Sequence, residues 1–355
     1  MMTENVWWKR LPGYLATGIV IVFASMWWFW GVAEMYYEGW WGAWYNRLPY
    51  LAPGAICLLL ALAAIRWPRL GGWLMIVAGA GFTLFLWGED LFEGNFTLER
   101  ALAQLPLTMS LVLIGGLFLL EARNKKKRLA AGWQPHARWW RRNLAYLLIL
   151  GSALLIFIGT SIYNLPTVLT RQDDGDRGAR LIDGNDVTLV WAPEGPGWNW
   201  QQSFGGYPSW GALALYGARP VGIDTKSPEE KRAATQEDMD TTGLCVYLND
   251  AGTELMDLPQ YIWRMPTTDE IVRSLALHGE NAGCAWSGEK GFMECELKPD
   301  KETPLWAPDL NPIYYWSGDE YDAEEAYFVS YNAAVNYQPK GWGNPRHGYR
   351  CVKEP

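Results

Sequence analysis

Apolar positions cluster in five long runs in the first part of the chain: Leu11 to Trp30, Tyr50 to Ile65, Leu70 to Trp87, Leu105 to Leu120 and Leu144 to Ile162. A bilayer core of roughly 30 Å takes about 20 residues of helix, with a lower limit near 17, so the shorter runs must extend into their flanks. The pattern predicts a bundle of five transmembrane helices over residues 1–162. The first run follows Lys9 and Arg10, as a signal peptide also would, but it is too long and no small-residue cleavage site follows it.

The rhythm changes after Ile162. Residues 163–180 read as an exposed connector, leaving through Asn164 and Pro166 into Asp173-Asp174-Gly175-Asp176. That run has the Asp-x-Asp spacing of a calcium loop without the motif's Gly and distal Glu. From Leu181 short strands such as Val187 to Trp191 alternate with Gly-, Pro- and Trp-rich loops. One helix is predicted over Glu229 to Leu248, where Ala233, Met239, Leu244, Cys245 and Leu248 share a face. A second begins near Asp269, capped by Thr267 or Thr268. The tail, with Tyr315 to Tyr321, Tyr327 to Val329 and His347 to Val352, reads as strands separated by turns.

Charge sharpens the division. Through Ile162 the chain holds 14 basic and 8 acidic residues; beyond it, 16 basic and 30 acidic. An acidic half joined to a basic, apolar one is not a nucleic-acid binder, which needs a basic stripe to displace counterions. The partner it indicates is a lipid bilayer. Many of the 23 tryptophans, including Trp27-Trp28, Trp40-Trp41 and Trp139-Trp140, flank the apolar runs, where amphipathic rings favour the membrane interface. Lys9, Arg10, Arg66, Arg69 and the basic segment Arg123 to Arg142 fall on one side, whereas the other side carries only Arg47 and Arg100 beside six carboxylates. The positive-inside rule then expects a cytoplasmic (inner) membrane protein with its N-terminus in the cytoplasm and residues after Ile162 periplasmic or extracellular. Glu34 and Glu38, one helical turn apart, are either a cation or proton-relay pair or solvated residues at an outer helix end.

Chemistry is thinly marked. Cys57 lies inside a span; Cys245, Cys284, Cys295 and Cys351 all fall in the half expected outside, where an even set reads as two disulfides with three connectivities open. With only His136, His278 and His347 and no Cys-x-x-Cys, no metal site and no catalytic residue is assigned.

Four segments carry a resemblance. Thr242 to Asn249, Trp263-Arg264-Met265-Pro266-Thr267, Tyr315-Trp316-Ser317 with Glu320-Tyr321, and Gly348-Tyr349-Arg350-Cys351-Val352 resemble the formylglycine-generating-enzyme (sulfatase-modifying-factor) group of C-type-lectin-like domains, nearest its bacterial members without assigned activity. The resemblance implies an α+β C-type-lectin-like domain over 181–355, with bridges Cys245 to Cys351 and Cys284 to Cys295. It also implies a binding surface on the loops Trp191 to Trp210 and Tyr314 to Trp342, which makes Trp198, Trp200, Trp210, Trp316, Asp319, Glu320, Tyr321 and Trp342 the candidate binding residues. Members with activity hold copper on a close pair of reactive cysteines; Cys284 and Cys295 do not match that spacing.

The leading expectation is therefore a membrane-anchored binding or structural module without a cofactor, an accessory subunit that meets a protein partner in the membrane or envelope. One alternative is a copper-dependent oxidase or other protein-modifying enzyme. Another is a calcium-dependent carbohydrate receptor using Asp319, Glu320, Asp322, Glu324 and Glu325, although the Glu-Pro-Asn, Gln-Pro-Asp and Trp-Asn-Asp triplets of such lectins are missing.

Overall fold

The computed structural model describes residues 10–40, 44–92, 96–130, 138–198, 208–218 and 234–355. By its contacts the chain divides into a helical unit that ends at Leu165 and a second unit that runs from Pro166.

In the helical unit α1 is Leu11–Tyr37, α2 Leu48–Arg66, α3 Pro68–Phe92, α4 Leu98–Ala130 and α5 Trp139–Thr170. Every helix overruns the apolar run that predicted it, because its polar, charged and aromatic flanks keep helical geometry after the apolar stretch stops. Among the described residues four helices are long and apolar enough to cross a membrane, and α4, bent by 44° between Leu98–Pro106 and Thr108–Ala130, makes up to five. The proline ring at 106 removes a backbone donor and crowds the preceding turn, which is what kinks a helix.

Helices α3 and α4 meet through glycine. A β-carbon at Gly115 would stand 2.5 Å from the Gly72 carbonyl oxygen, and one at Gly72 would stand 2.8 Å from that of Gly115. Small residues permit this approach where there is no hydrophobic drive between helices in lipid. Of the other small positions, Gly79 also faces backbone, at Thr108, whereas Gly81 and Gly116 face open space. Helix α5 is held differently. Its apolar stretch is only 6 % buried, against 22–28 % for the first three spans, and polar bonds tie it to α1: Ser25 Oγ to Ser152 Oγ, Trp28 Nε1 to the Ala153 carbonyl and Tyr36 OH to Ser161 Oγ, each 2.9 Å.

The second unit is rich in β-sheet. A three-stranded sheet sets β2 (Thr188–Trp191) between β1 (Arg180–Asp183) and the last strand, β10 (Val352–Lys353). A ribbon of β3 (Ala276–Leu277) and β4 (Glu280–Asn281) stands apart. The main sheet has the order β5-β8-β7-β6-β9, with β5 Gly291–Phe292, β6 Tyr314–Glu320, β7 Glu325–Ser330, β8 Ala334–Pro339 and β9 His347–Gly348. All its pairs are antiparallel except β6 with β9. Three short helices, α6 (Trp210–Ala214), α7 (Gln236–Thr241) and α8 (Thr268–Arg273), pack with it. The core joins Trp210, Leu213, Leu244, Leu248, Trp263, Met265, Trp316, Phe328 and Tyr349.

The helix expected over Glu229 to Leu248 is, among the described residues, the six-residue α7 and a separate 3-10 turn at Leu244–Tyr247. Its start is a capping box between Thr235 and Asp238. Its end comes at Gly243, whose extended backbone (φ −62°, ψ 149°) redirects the chain. Helix α8 begins where expected, with a second capping box between Thr267 and Glu270. Both expected disulfides are present: Cys245 to Cys351, Cα atoms 5.7 Å apart, and Cys284 to Cys295, 4.0 Å apart.

Candidate functional site

Alternate residues of a strand leave on opposite faces, and in β7 this separates core from surface. Ala326 and Phe328 enter the core beside Trp316, while Tyr327 projects the other way, opposite Tyr337 of β8. There Tyr337 stacks on Tyr321 with ring centroids 3.9 Å apart and planes 5° apart. Tyr327 meets both edge-on at 5.5 and 6.1 Å, and Trp286 packs edge-on against Tyr327 at 5.3 Å. Lys290 lies 4.4 Å above the Tyr337 ring centroid and donates to its hydroxyl at 2.7 Å. This bond raises Lys290 above the usual lysine range and holds Tyr337 below the usual tyrosine range, while a hydrogen bond to Tyr337 raises Tyr321. Tyr321 is 46 % exposed. The result is a preorganised aromatic surface with one cation at its edge, able to present flat contact area and polar tips together.

The other candidates are distributed elsewhere. Trp198, Trp210 and Trp316 are buried and turn their indole nitrogens inward, to the Tyr315 hydroxyl (2.7 Å), the Ser317 carbonyl (2.9 Å) and the Pro208 carbonyl (3.0 Å). Trp200 lies outside the described residues. Asp319 accepts from the Thr268 backbone N–H at 2.6 Å, at the start of α8. Glu320 accepts from buried Lys340 at 2.8 Å, and the same ammonium lies 4.9 Å from the Trp210 ring centroid. A buried charge needs such partners. Trp342 is half exposed, but it adjoins His347 rather than the tyrosine surface.

Two buried groups complete the unit. Arg350 stacks on Trp198 at 3.7 Å and donates to the carbonyls of Ala192 (2.8 Å), Pro304 (2.7 Å) and Leu305 (3.0 Å). Burial pushes it down to about 9, so it stays charged near neutral pH. His347 stacks on Trp316 at 4.7 Å, with Tyr314 and Phe328 at 5.1 and 5.2 Å. Among the described residues neither ring nitrogen has a hydrogen-bond partner, and burial lowers it to about 4.

Among the described residues no three His, Cys, Asp or Glu side chains are grouped to hold a metal. Asp319 and Glu320, proposed calcium ligands, turn toward α8 and Lys340. Cys284 and Cys295 are bonded to each other. In the helical unit, Trp30 Nε1 donates to Glu34 at 2.8 Å.

Tyr327 and Tyr337, half-buried, fall inside the 314–342 stretch expected to bind without being among its candidate residues, whereas half-buried Trp286 and exposed Lys290 lie outside that stretch. Period-two alternation along 325–330 and 334–339 was the available signal; the pairing of Tyr327 with Tyr337 was not.

A family model described as a domain of unknown function (DUF7670) matches residues 4–130, a stretch that closes with α4. No curated protein and no solved structure matches the chain.

Proposed function

We infer that this chain is a membrane-anchored binding module: the helical unit lies in a cytoplasmic membrane, N-terminus inside, and the second unit is displayed outside to dock a protein partner. The observation that carries this reading is the stacked Tyr321–Tyr337 pair with Tyr327, Trp286 and Lys290 around it. Rigid Tyr and Trp side chains are among those that carry most binding energy at protein interfaces. The exterior placement draws support from the two disulfides, which persist in oxidising compartments, and from the asymmetry of basic residues between helix ends. A C-type-lectin-like scaffold related to the sulfatase-modifying group belongs to the same reading; its support is that the bridges follow the pairing the resemblance implies.

An oxidase on this scaffold would need thiolates free to hold copper, and its nearest ligands are joined in a bridge. The test is extraction of the full chain in mild detergent, with wild type compared to Tyr321→Ala/Tyr337→Ala. The double variant is expected to lose at least tenfold of the co-purifying partner while retaining its far-ultraviolet circular dichroism and thermal midpoint, since aromatic hot spots are typically worth about 2 kcal/mol or more. Unchanged recovery of the partner refutes the assignment of the surface. Stoichiometric copper with oxygen consumption abolished by Cys284→Ser would replace binding with catalysis.

A further inference from the structure

At one end of the helical unit all five helices border a cleft of about 590 Å³. Its lining is unusual in charge: Arg10, Arg66, Lys125, Arg128 and Arg142 face it, with Glu121 as the one carboxylate. Glu121 is already engaged, holding Arg128 through two hydrogen bonds of 2.5 and 3.3 Å. The pair is fixed in place, because Arg128 is buried and the Glu121 carboxyl carbon occupies the space a β-carbon at Gly13 would need, 2.6 Å away. The cleft is thus a preformed, strongly cationic space between helices, of a size that takes small ligands.

Basic residues on exposed loops would serve topology alone. These instead converge on one space from three helices, α2, α4 and α5, and from Arg10 just before α1, and like charges so gathered repel unless an anion joins them. A second observation indicates the anion's form. Arg66, Pro68, Lys125 and Leu129 also line a neighbouring groove whose other walls include Trp67, Leu70 and Trp73. Those three side chains are each more than half exposed. A phosphate in the cleft and acyl chains along the groove would share one continuous surface, which a free anion would use only in part.

We propose that this cleft and groove form a binding site for an anionic phospholipid, its phosphate held by Arg66, Lys125 and Arg142 and its chains lying against Trp67, Leu70 and Trp73. Basic pockets between membrane helices bind anionic headgroups by this chemistry. The site rests on the bilayer placement inferred above and on nothing that the second unit binds.

The test uses the full chain in mild detergent, with native mass spectrometry after titration with phosphatidylglycerol or phosphatidylcholine. Wild type should retain one phosphatidylglycerol in preference to phosphatidylcholine, and millimolar inorganic phosphate should not displace it. Arg66→Gln/Lys125→Gln should weaken retention about tenfold or more, from the usual contribution of each cation near an anionic lipid. Arg123→Gln/Lys127→Gln, which removes the same charge from exposed residues of α4 outside the cleft, should leave it unchanged. Equal loss in both variants, no loss in the first, or displacement by phosphate overturns the site. A chain that stays dispersed without detergent overturns the bilayer placement itself, and the site with it.

Discussion

At His347 the packing predicts a pH response. The ordinary imidazole value is 6.5 and burial among Tyr314, Trp316 and Phe328 lowers it to about 4. As pH falls below 6.5 the unfolded chain takes up this proton first, so the folded state loses stability progressively between 6.5 and 4 and has its full share above that window. The loss amounts to roughly 3 kcal/mol if nothing relaxes. His347→Phe, which keeps a ring of similar size among its neighbours, should flatten the urea midpoint of the second unit between pH 6.5 and 4.5; an unaltered slope would assign the effect elsewhere. Residue identity alone did not reveal which aromatic groups are buried. Trp210 and Tyr321 both sit in aromatic-rich sequence, yet one is sealed under Lys340 and the other is 46 % exposed, because exposure depends on tertiary contacts among residues far apart in the chain.

Between elements, the Gly72–Gly115 contact sets how closely α3 and α4 approach. Gly115→Ala should destabilise the helical unit by about 1–3 kcal/mol, the usual cost of overpacking, because the added carbon meets backbone rather than a flexible side chain. Gly116→Ala, one residue on and facing open space, should not destabilise it. Thermal melts of both variants in the same detergent decide this; equal effects would mean that glycine flexibility rather than contact matters. The existence of the five helices was legible because a run of apolar residues is nearly sufficient to specify one. Their lengths were not, since Lys125 to Arg128 continue α4 as helix although they end the apolar signal. The opposite error occurred over Glu229 to Leu248, where apolar spacing continued through Gly243 but the helix did not.

Over the whole second unit, the Cys245–Cys351 bridge spans a sequence separation of 106 and Cys284–Cys295 one of 11. Closing a loop of about 100 residues limits the unfolded chain by about 4.7 kcal/mol in the chain-entropy model, against about 3 for a short one. Cys245→Ser/Cys351→Ser should therefore lower unfolding stability more than Cys284→Ser/Cys295→Ser, as urea titration of the two variants would show; the reverse order would point to local packing around the short loop. The pairing was open from spacing alone and was narrowed only by resemblance, since which cysteines meet depends on the tertiary fold. The three-stranded sheet carries one more consequence. Strand β2 has β1 on one edge from early in the unit, but its other edge is filled by Val352 and Lys353. A nascent second unit thus emerges with that edge open through nearly all of its synthesis, a state that invites pairing with another chain. Until Val352 and Lys353 arrive, Val190 and Trp191 offer an unpaired row of backbone donors and acceptors, so closing this sheet couples the first strands of the unit to residues some 160 positions away.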